Sequence, residues 1–218
     1  MTDILANSSK TSRVDAVPPY FAARMHGLSW HPDCPVPITA LRLLHIPHLG
    51  FDGAEHEGQL VIHEKLAAEV LDIFREILAA RFPIGRMQTI EEFGGSDELS
   101  MAANNSSGFN CRVNVTTGTG FSKHAYGFAV DINPIQNPYI KPQVDIAGRL
   151  LEPLAGSFDP PRVEPEAGRA FLDRRAPKPG MILHGDAVYR AFTGRGWTWG
   201  GEFKGRTDYQ HFEKWIDL

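Results

Sequence analysis

His124 and Asp131 stand seven positions apart in Ser122-Lys-His-Ala-Tyr-Gly-Phe-Ala-Val-Asp131, a stretch that carries a metal-grade nitrogen and a metal-grade oxygen. Read as an extended strand, it puts Phe128, Val130 and Ile132 on one face and Gly127, Ala129, Asp131 and Asn133 on the other. The first face suits a core and the second an open site, with the small residues at 127 and 129 clearing room for a ligand beside the carboxylate. The pair therefore reads as two zinc ligands; a turn histidine followed by a strand-end capping aspartate is the open alternative. A catalytic zinc needs about three protein ligands and one open position, where a water becomes acidic enough to attack at neutral pH. The third ligand should be a histidine on a neighbouring strand. His211 is the best candidate, because Asp208, three residues earlier, can accept the proton of that water and pass it to a leaving amine. Alone, Asp-x-x-His is a weak signal, more often a surface aspartate near a packed histidine.

The remaining candidates are weaker. His45, His48, His56 and His63 never form His-Glu-x-x-His, so structural or solvent-facing roles are expected for them. His184 is read as a loop histidine, with a place in the cleft as the alternative. Tyr126, Trp197 and Trp199 are expected to be part core and part cleft wall. Cys34 and Cys111 are too few for a cysteine-based zinc site and read as two buried or idle thiols, a disulfide being the alternative.

Positioning these groups requires a scaffold, and 218 residues with 42% apolar content can bury a substantial core as one domain. A net charge of -4, with no run of Lys and Arg, argues against nucleic acid as a partner. No stretch approaches the roughly 20 apolar residues of a membrane span. The N-terminus lacks the pattern of a secretory signal, so the chain as given is expected to be soluble. Residues 1–20 are polar, end in Pro18-Pro19, and are expected to be a flexible or loosely docked arm preceding a domain over 21–218. Leu41 to Ile46 predicts a strand, Gln59 to Phe82 an amphipathic helix, and Gly85 to Ile90 a strand. Ser96 caps a predicted short helix through Ala103, and Asp186 to Thr193 predicts another. Pro134 to Pro179 reads as a long decorated loop with room for one short helix. Trp197 to Phe203 and Asp208 to Trp215 read as two strands joined by a turn at 204–206.

With those residues in view, Ser122-x-His124-x-x-Gly127-x-Ala129-x-Asp131 and Asp208-x-x-His211 resemble the zinc D-alanyl-D-alanine carboxypeptidase family of bacterial cell-wall peptidases, of the VanY and VanX type. Further similarity lies in Ser100 to Arg112, Ile132 to Tyr139 and Gly196 to Gly201. The resemblance implies an α+β domain with a central antiparallel sheet carrying a Zn2+ site and flanked by helices, the scaffold shared with lysostaphin-type peptidases and the hedgehog signalling domain. It implies that His124, Asp131 and His211 bind zinc, that Asp208 is the general base, and that Arg112 stabilises the tetrahedral oxyanion. Ser122, Tyr126 and Trp199 are the residues expected to meet substrate, a peptidoglycan stem peptide acted on at the bacterial cell wall; the protein is expected to be a monomer. Two departures stand out. Relatives acting on D-Ala-D-Ala usually place Glu where this chain has Asp208, whereas the L-Ala-D-Glu endopeptidase branch, including phage endolysins, often places Asp there. Phe203 stands where relatives often have Trp. A non-catalytic binding module on the same scaffold, and a zinc hydrolase of another amide or ester, are the competing readings.

Overall fold

The computed structural model describes residues 11–114, 119–141 and 162–218. Along the chain, β1 (Arg13–Ala16), α1 (Pro19–Met25), β2 (Leu41–Leu49), β3 (Glu55–His63) and α2 (Glu64–Ala79) come first. Next are β4 (Arg86–Met87), α3 (Asp97–Ala102), β5 (Asn105–Ser106), β6 (Ala129–Asp131), β7 (Tyr139–Ile140) and β8 (Val163–Glu164). The chain closes with α4 (Ala187–Thr193), β9 (Thr198–Trp199), β10 (Thr207–Asp208) and β11 (His211–Glu213). The mixed α+β class is as expected, but the single central sheet is not. The strands divide into antiparallel sheets ordered β1-β2-β3, β10-β7-β8 and β6-β11-β9, with a parallel β4-β5 pair beside them.

The β2-β3 hairpin is the main wall of the core, and its alternation sorts side chains to two sides. Leu44, Ile46, Leu60 and Ile62 pack with Val70, Ile73, Phe74 and Ile77 of α2 and with Phe192 of α4. Leu41, Leu43 and Val61 join Phe21 and Met25 of α1, together with Val36 and Phe109, on the other side. The helix predicted over 59–82 starts only at Glu64. Residues 59–63 extend β3 instead, because they pair with β2 in register and send Leu60 and Ile62 into one cluster and Val61 into the other. His63 marks the change, its Nδ1 accepting from the Lys65 amide at 3.2 Å as the N-cap of α2.

The supposed N-terminal arm is docked from residue 13 onward. Arg13–Ala16 pairs antiparallel with Arg42–His45 as an edge strand, and α1 follows with Phe21 and Met25 buried; residues 1–10 lie outside the described part. The predicted caps are present: Ser96 accepts from Leu99 N at 3.2 Å and Asp186 from Tyr189 N at 2.8 Å. The predicted strand over 85–90 reduces to β4, followed by a 3-10 turn at Ile90–Phe93. Within the long loop expected over 134–179, β7 and β8 pair with each other and a 3-10 helix spans Glu166–Phe171; residues 142–161 lie outside the described part. Cys34 and Cys111 are joined in a disulfide, which corrects the reading of two separate thiols and ties the loop after Trp30 to the segment holding Arg112. Sequence separation hid this pairing, because only the packing of α1 and Phe109 around one cluster brings the two loops together.

Candidate metal centre

The site grows from the β6-β11 pair. Asp131 lies directly opposite His211, Val130 opposite Phe212 and Ala129 opposite Glu213. Side chains directly opposite on antiparallel strands share a face with Cβ atoms roughly 5 Å apart, so Asp131 and His211 meet on one side while Val130 and Phe212 enter the core on the other. The expected face assignment of Phe128, Val130 and Ile132 holds: each is fully buried in the main cluster. The reason given for Gly127 does not. Its φ is +70°, and a Cβ there would lie 2.6 Å from the His63 amide nitrogen. Glycine is required by a left-handed turn against β3, not by space for a ligand.

That turn also places His124. It sits in a 3-10 turn over Lys123–Tyr126, with the Ser122 hydroxyl capping its amide at 3.3 Å and Ser122 N bonded to Arg112 O at 3.0 Å. His124 Nδ1 lies 2.6 Å from the Gly108 carbonyl oxygen. A carbonyl only accepts, so Nδ1 carries a proton there and Nε2 is the nitrogen turned inward toward Asp131 and His211. Nε2 is 3.2 Å from Asp131 Oδ2 and 3.2 Å from His211 Nδ1, and His211 Nδ1 is 2.9 Å from Asp131 Oδ1. The other nitrogen of His211, Nε2, is held by Glu213 Oε2 at 3.0 Å. Both imidazoles are thus anchored through their outer nitrogens, the arrangement by which carbonyls and carboxylates orient metal-binding histidines.

The group is buried, with His124 2%, Asp131 4% and His211 8% exposed, and its three ligand atoms lie within 4.8 Å of one another. Two imidazoles and a carboxylate match the donor chemistry of zinc, and the separations approach the roughly 3.3 Å edge of a tetrahedron with bonds of about 2.05 Å. The residues fit the ion. Burial by itself would lower the His211 pKa, but the hydrogen bonds to Asp131 and Glu213 outweigh it and raise the value to about 10. Asp131 shows the converse: burial opposes its charge, yet His124 and His211 hold its pKa far below the usual carboxylate range.

Asp208 stands apart from this group, at the end of β10, which pairs with β7 rather than with β11. The hairpin expected over 197–215 is therefore split: β9 pairs with β11, while β10 leaves for another sheet, so Asp208 and His211 approach the site from two directions. Asp208 Oδ1 is buried with no hydrogen-bond partner. Burial, reinforced by the charge of Asp131 and opposed by His211, raises its pKa to about 6. Gly200 makes this approach possible: a Cβ there would lie 2.5 Å from the Asp208 carbonyl oxygen and 3.2 Å from His211 Cβ. The Gly-Gly dipeptide was visible in the sequence; the reason for it was not.

A cavity of about 210 Å³ opens over the group and is lined by Arg112, Ser122, His124, Asp131, Asp208 and His211, among others. Arg112 is paired with Asp97 at 3.0 Å, and its Nε is buried without a partner. Phe203 forms an apolar wall, with Arg206 stacked 4.6 Å over its ring. Two residues expected to meet substrate do not line the cavity. Trp199 is 4% exposed, donates its Nε1 proton to Tyr209 O at 2.8 Å and packs on Phe212. Tyr126 stacks on Phe128 and meets Trp215 edge-on. Aromatic composition does not distinguish core from cleft wall, and here packing claims both. His184 is likewise elsewhere, side by side with Tyr189 and Glu202. The pattern reading overlooked Glu213, although His211-x-Glu213 on a strand puts both side chains on one face.

A mixed α+β domain whose converging histidines and carboxylate floor a polar cleft, with a second acid beside them whose Oδ1 is buried, has the makings of a hydrolase. Residues 116–214 match the family model described as D-alanyl-D-alanine carboxypeptidase, a stretch that includes the Ser122 turn and runs through Glu213. Arg112 precedes the matched segment. No curated protein and no solved structure matches the chain.

Proposed function

We propose that the chain is a zinc-dependent peptidase that hydrolyses a peptide bond in the bacterial peptidoglycan stem peptide, as a D-Ala-D-Ala carboxypeptidase or an L-Ala-D-Glu endopeptidase. The observation that carries the reading is the convergence of His124 Nε2, His211 Nδ1 and Asp131 within 3.2 Å of one another, each histidine locked by an outer partner. His124, Asp131 and His211 would hold the ion, which supplies Lewis acidity toward the scissile carbonyl and lowers the pKa of a water. Asp208 takes up the proton of the attacking water on its carboxylate and delivers it to the leaving amine. Its raised pKa suits a group that must both accept and release a proton near neutrality. Arg112 steadies the negative charge that develops on the carbonyl oxygen, and Asp97 fixes its side chain for that purpose. Ser122 orients the His124 turn through its cap.

A pure binding module on this scaffold has no use for a carboxylate beside the ligands with one oxygen, Oδ1, buried and without a hydrogen-bond partner, so Asp208 favours catalysis. The D-alanyl-D-alanine carboxypeptidase match supports a cell-wall substrate, and the disulfide is consistent with work in an oxidising environment outside the cytosol. Among the described residues no helix is long and apolar enough to cross a membrane. The protein is expected to act as a monomer on the lysostaphin-type scaffold, since one chain supplies all the groups invoked. Mass spectrometry of defined muropeptides incubated with zinc-loaded protein tests the proposal: loss of terminal D-Ala and release at L-Ala-D-Glu give different masses. Full activity in chelator-stripped protein would overturn the zinc mechanism, and unaltered muropeptides would overturn the substrate class.

A further inference from the structure

A second group of soft ligand atoms lies outside the cleft. His31 Nε2 is 3.5 Å from Cys111 Sγ, and Cys34 Sγ is bonded to that same sulfur. The His31 backbone amide donates to Cys34 Sγ at 3.1 Å, and the Asp33 carboxylate stands 4.0 Å from His31 Nδ1, the nitrogen that faces away from the sulfur contact. All three candidate ligand atoms lie within 4.8 Å of one another.

We propose that reduction of the Cys34–Cys111 disulfide converts this corner into a second, thiolate-rich binding site for zinc, formed by His31, Cys34 and Cys111. The geometry is nearly in place. A sulfur at about 2.3 Å and an imidazole nitrogen at about 2.05 Å on one tetrahedral zinc are roughly 3.6 Å apart, and His31 Nε2 to Cys111 Sγ is 3.5 Å. Two thiolates on such an ion sit roughly 3.8 Å apart, a separation that side-chain rotation can reach between residues whose Cα atoms are 6.0 Å apart. His31-x-x-Cys34 keeps the two-residue spacing by which a short loop offers two ligands to one ion. The amide proton aimed at Cys34 Sγ stabilises a thiolate there.

The chemistry balances. A dithiol reductant gives up two electrons and two protons, closing its own disulfide as the Cys34–Cys111 bond opens to two thiols. Those thiols then lose their protons to solvent as metal–sulfur bonds form. Oxidising and reducing surroundings would thus each cross-link the same two loops, by a disulfide in one case and by an ion in the other. Because Cys111 immediately precedes Arg112, either link fixes the chain that carries the arginine of the cleft.

The test is metal stoichiometry of the full chain, read with cobalt(II) as a spectroscopic stand-in for zinc. Oxidised protein is expected to take up only the ion of the His124 group, with no sulfur-to-metal charge-transfer band. Protein reduced with a phosphine, its thiols counted, should bind a second equivalent and develop that band in the near ultraviolet. Only this corner can give the band, because the His124 group has no sulfur. His31→Ala, folded and checked in the disulfide form before reduction, should weaken the second equivalent by at least about tenfold, the low end of what even an outer-shell change costs. A disulfide that survives the phosphine in folded protein, a reduced protein without the second equivalent, or a band indifferent to His31→Ala would each overturn the proposal.

Discussion

Asp208→Asn separates catalytic need from structural stability, because the same burial that tunes the acid also opposes the fold. The Asp208 carboxyl has a pKa of about 6 in the folded protein against 3.8 in the open chain, a difference of about two pKa units, or roughly 3 kcal/mol at 1.36 kcal/mol per unit. The sign follows from proton counts. Between pH 3.8 and about 6 the folded state holds the proton longer than the unfolded state, so this group lowers stability as pH rises through that window. Below it the penalty is absent, and above it the penalty is complete. An amide never ionises. Metal-free Asp208→Asn should therefore match the wild type near pH 3.5 and exceed it near pH 7.5 by up to about 3 kcal/mol, which is an upper bound because the charge of Asp208 is coupled to those of His211 and Asp131. Denaturant unfolding of both proteins in chelator at several pH values measures this directly. Zinc binding should be retained by the variant, while turnover falls by about 10²- to 10⁴-fold, the usual contribution of a positioned proton-transfer group. A pH-independent stability difference, or one favouring the wild type at neutral pH, would refute the account of Asp208 as an acid whose desolvation outweighs its partners. Near-normal turnover would refute its role as the base.

Other expectations follow from the same geometry. His211→Ala or Asp131→Ala should abolish stoichiometric zinc, measured by metal analysis after dialysis of oxidised protein. Because the proton on His211 is held up to a pKa of about 10 in the metal-free cluster, zinc must displace it. Apparent affinity should rise by about tenfold per pH unit between roughly pH 6.5 and 9 in chelator competition corrected for the chelator's own protons. Glu213→Ala removes the partner of His211 Nε2 at 3.0 Å and should weaken zinc by about 10- to 100-fold without unfolding the domain. Gly200→Ala forces a Cβ to within 2.5 Å of the Asp208 carbonyl oxygen. Displacement of the Asp208 and His211 backbones should lower the thermal midpoint by an amount matching about 1–3 kcal/mol and reduce turnover.

Much of this site could be read from local pattern. Ligand types, the buried face of Phe128, Val130 and Ile132, the caps at Ser96 and Asp186, and the acid three residues before His211 are all signals contained within a few residues. They are legible because strand alternation and capping act over one turn or one pleat. The sequence by itself determined which groups could bind an ion and transfer a proton. Only the tertiary structure decided which histidine nitrogens face inward, because the Gly108 carbonyl that sets His124 comes from 16 residues away and His211 meets His124 across 87. It alone decided that Gly127 and Gly200 serve close backbone approach, that Trp199 is packed in the core and Tyr126 against aromatic neighbours, that Cys34 meets Cys111, and that β10 leaves β11 to bring Asp208 in from a separate sheet. These are contacts between segments distant in the chain, set by how the packed layers meet.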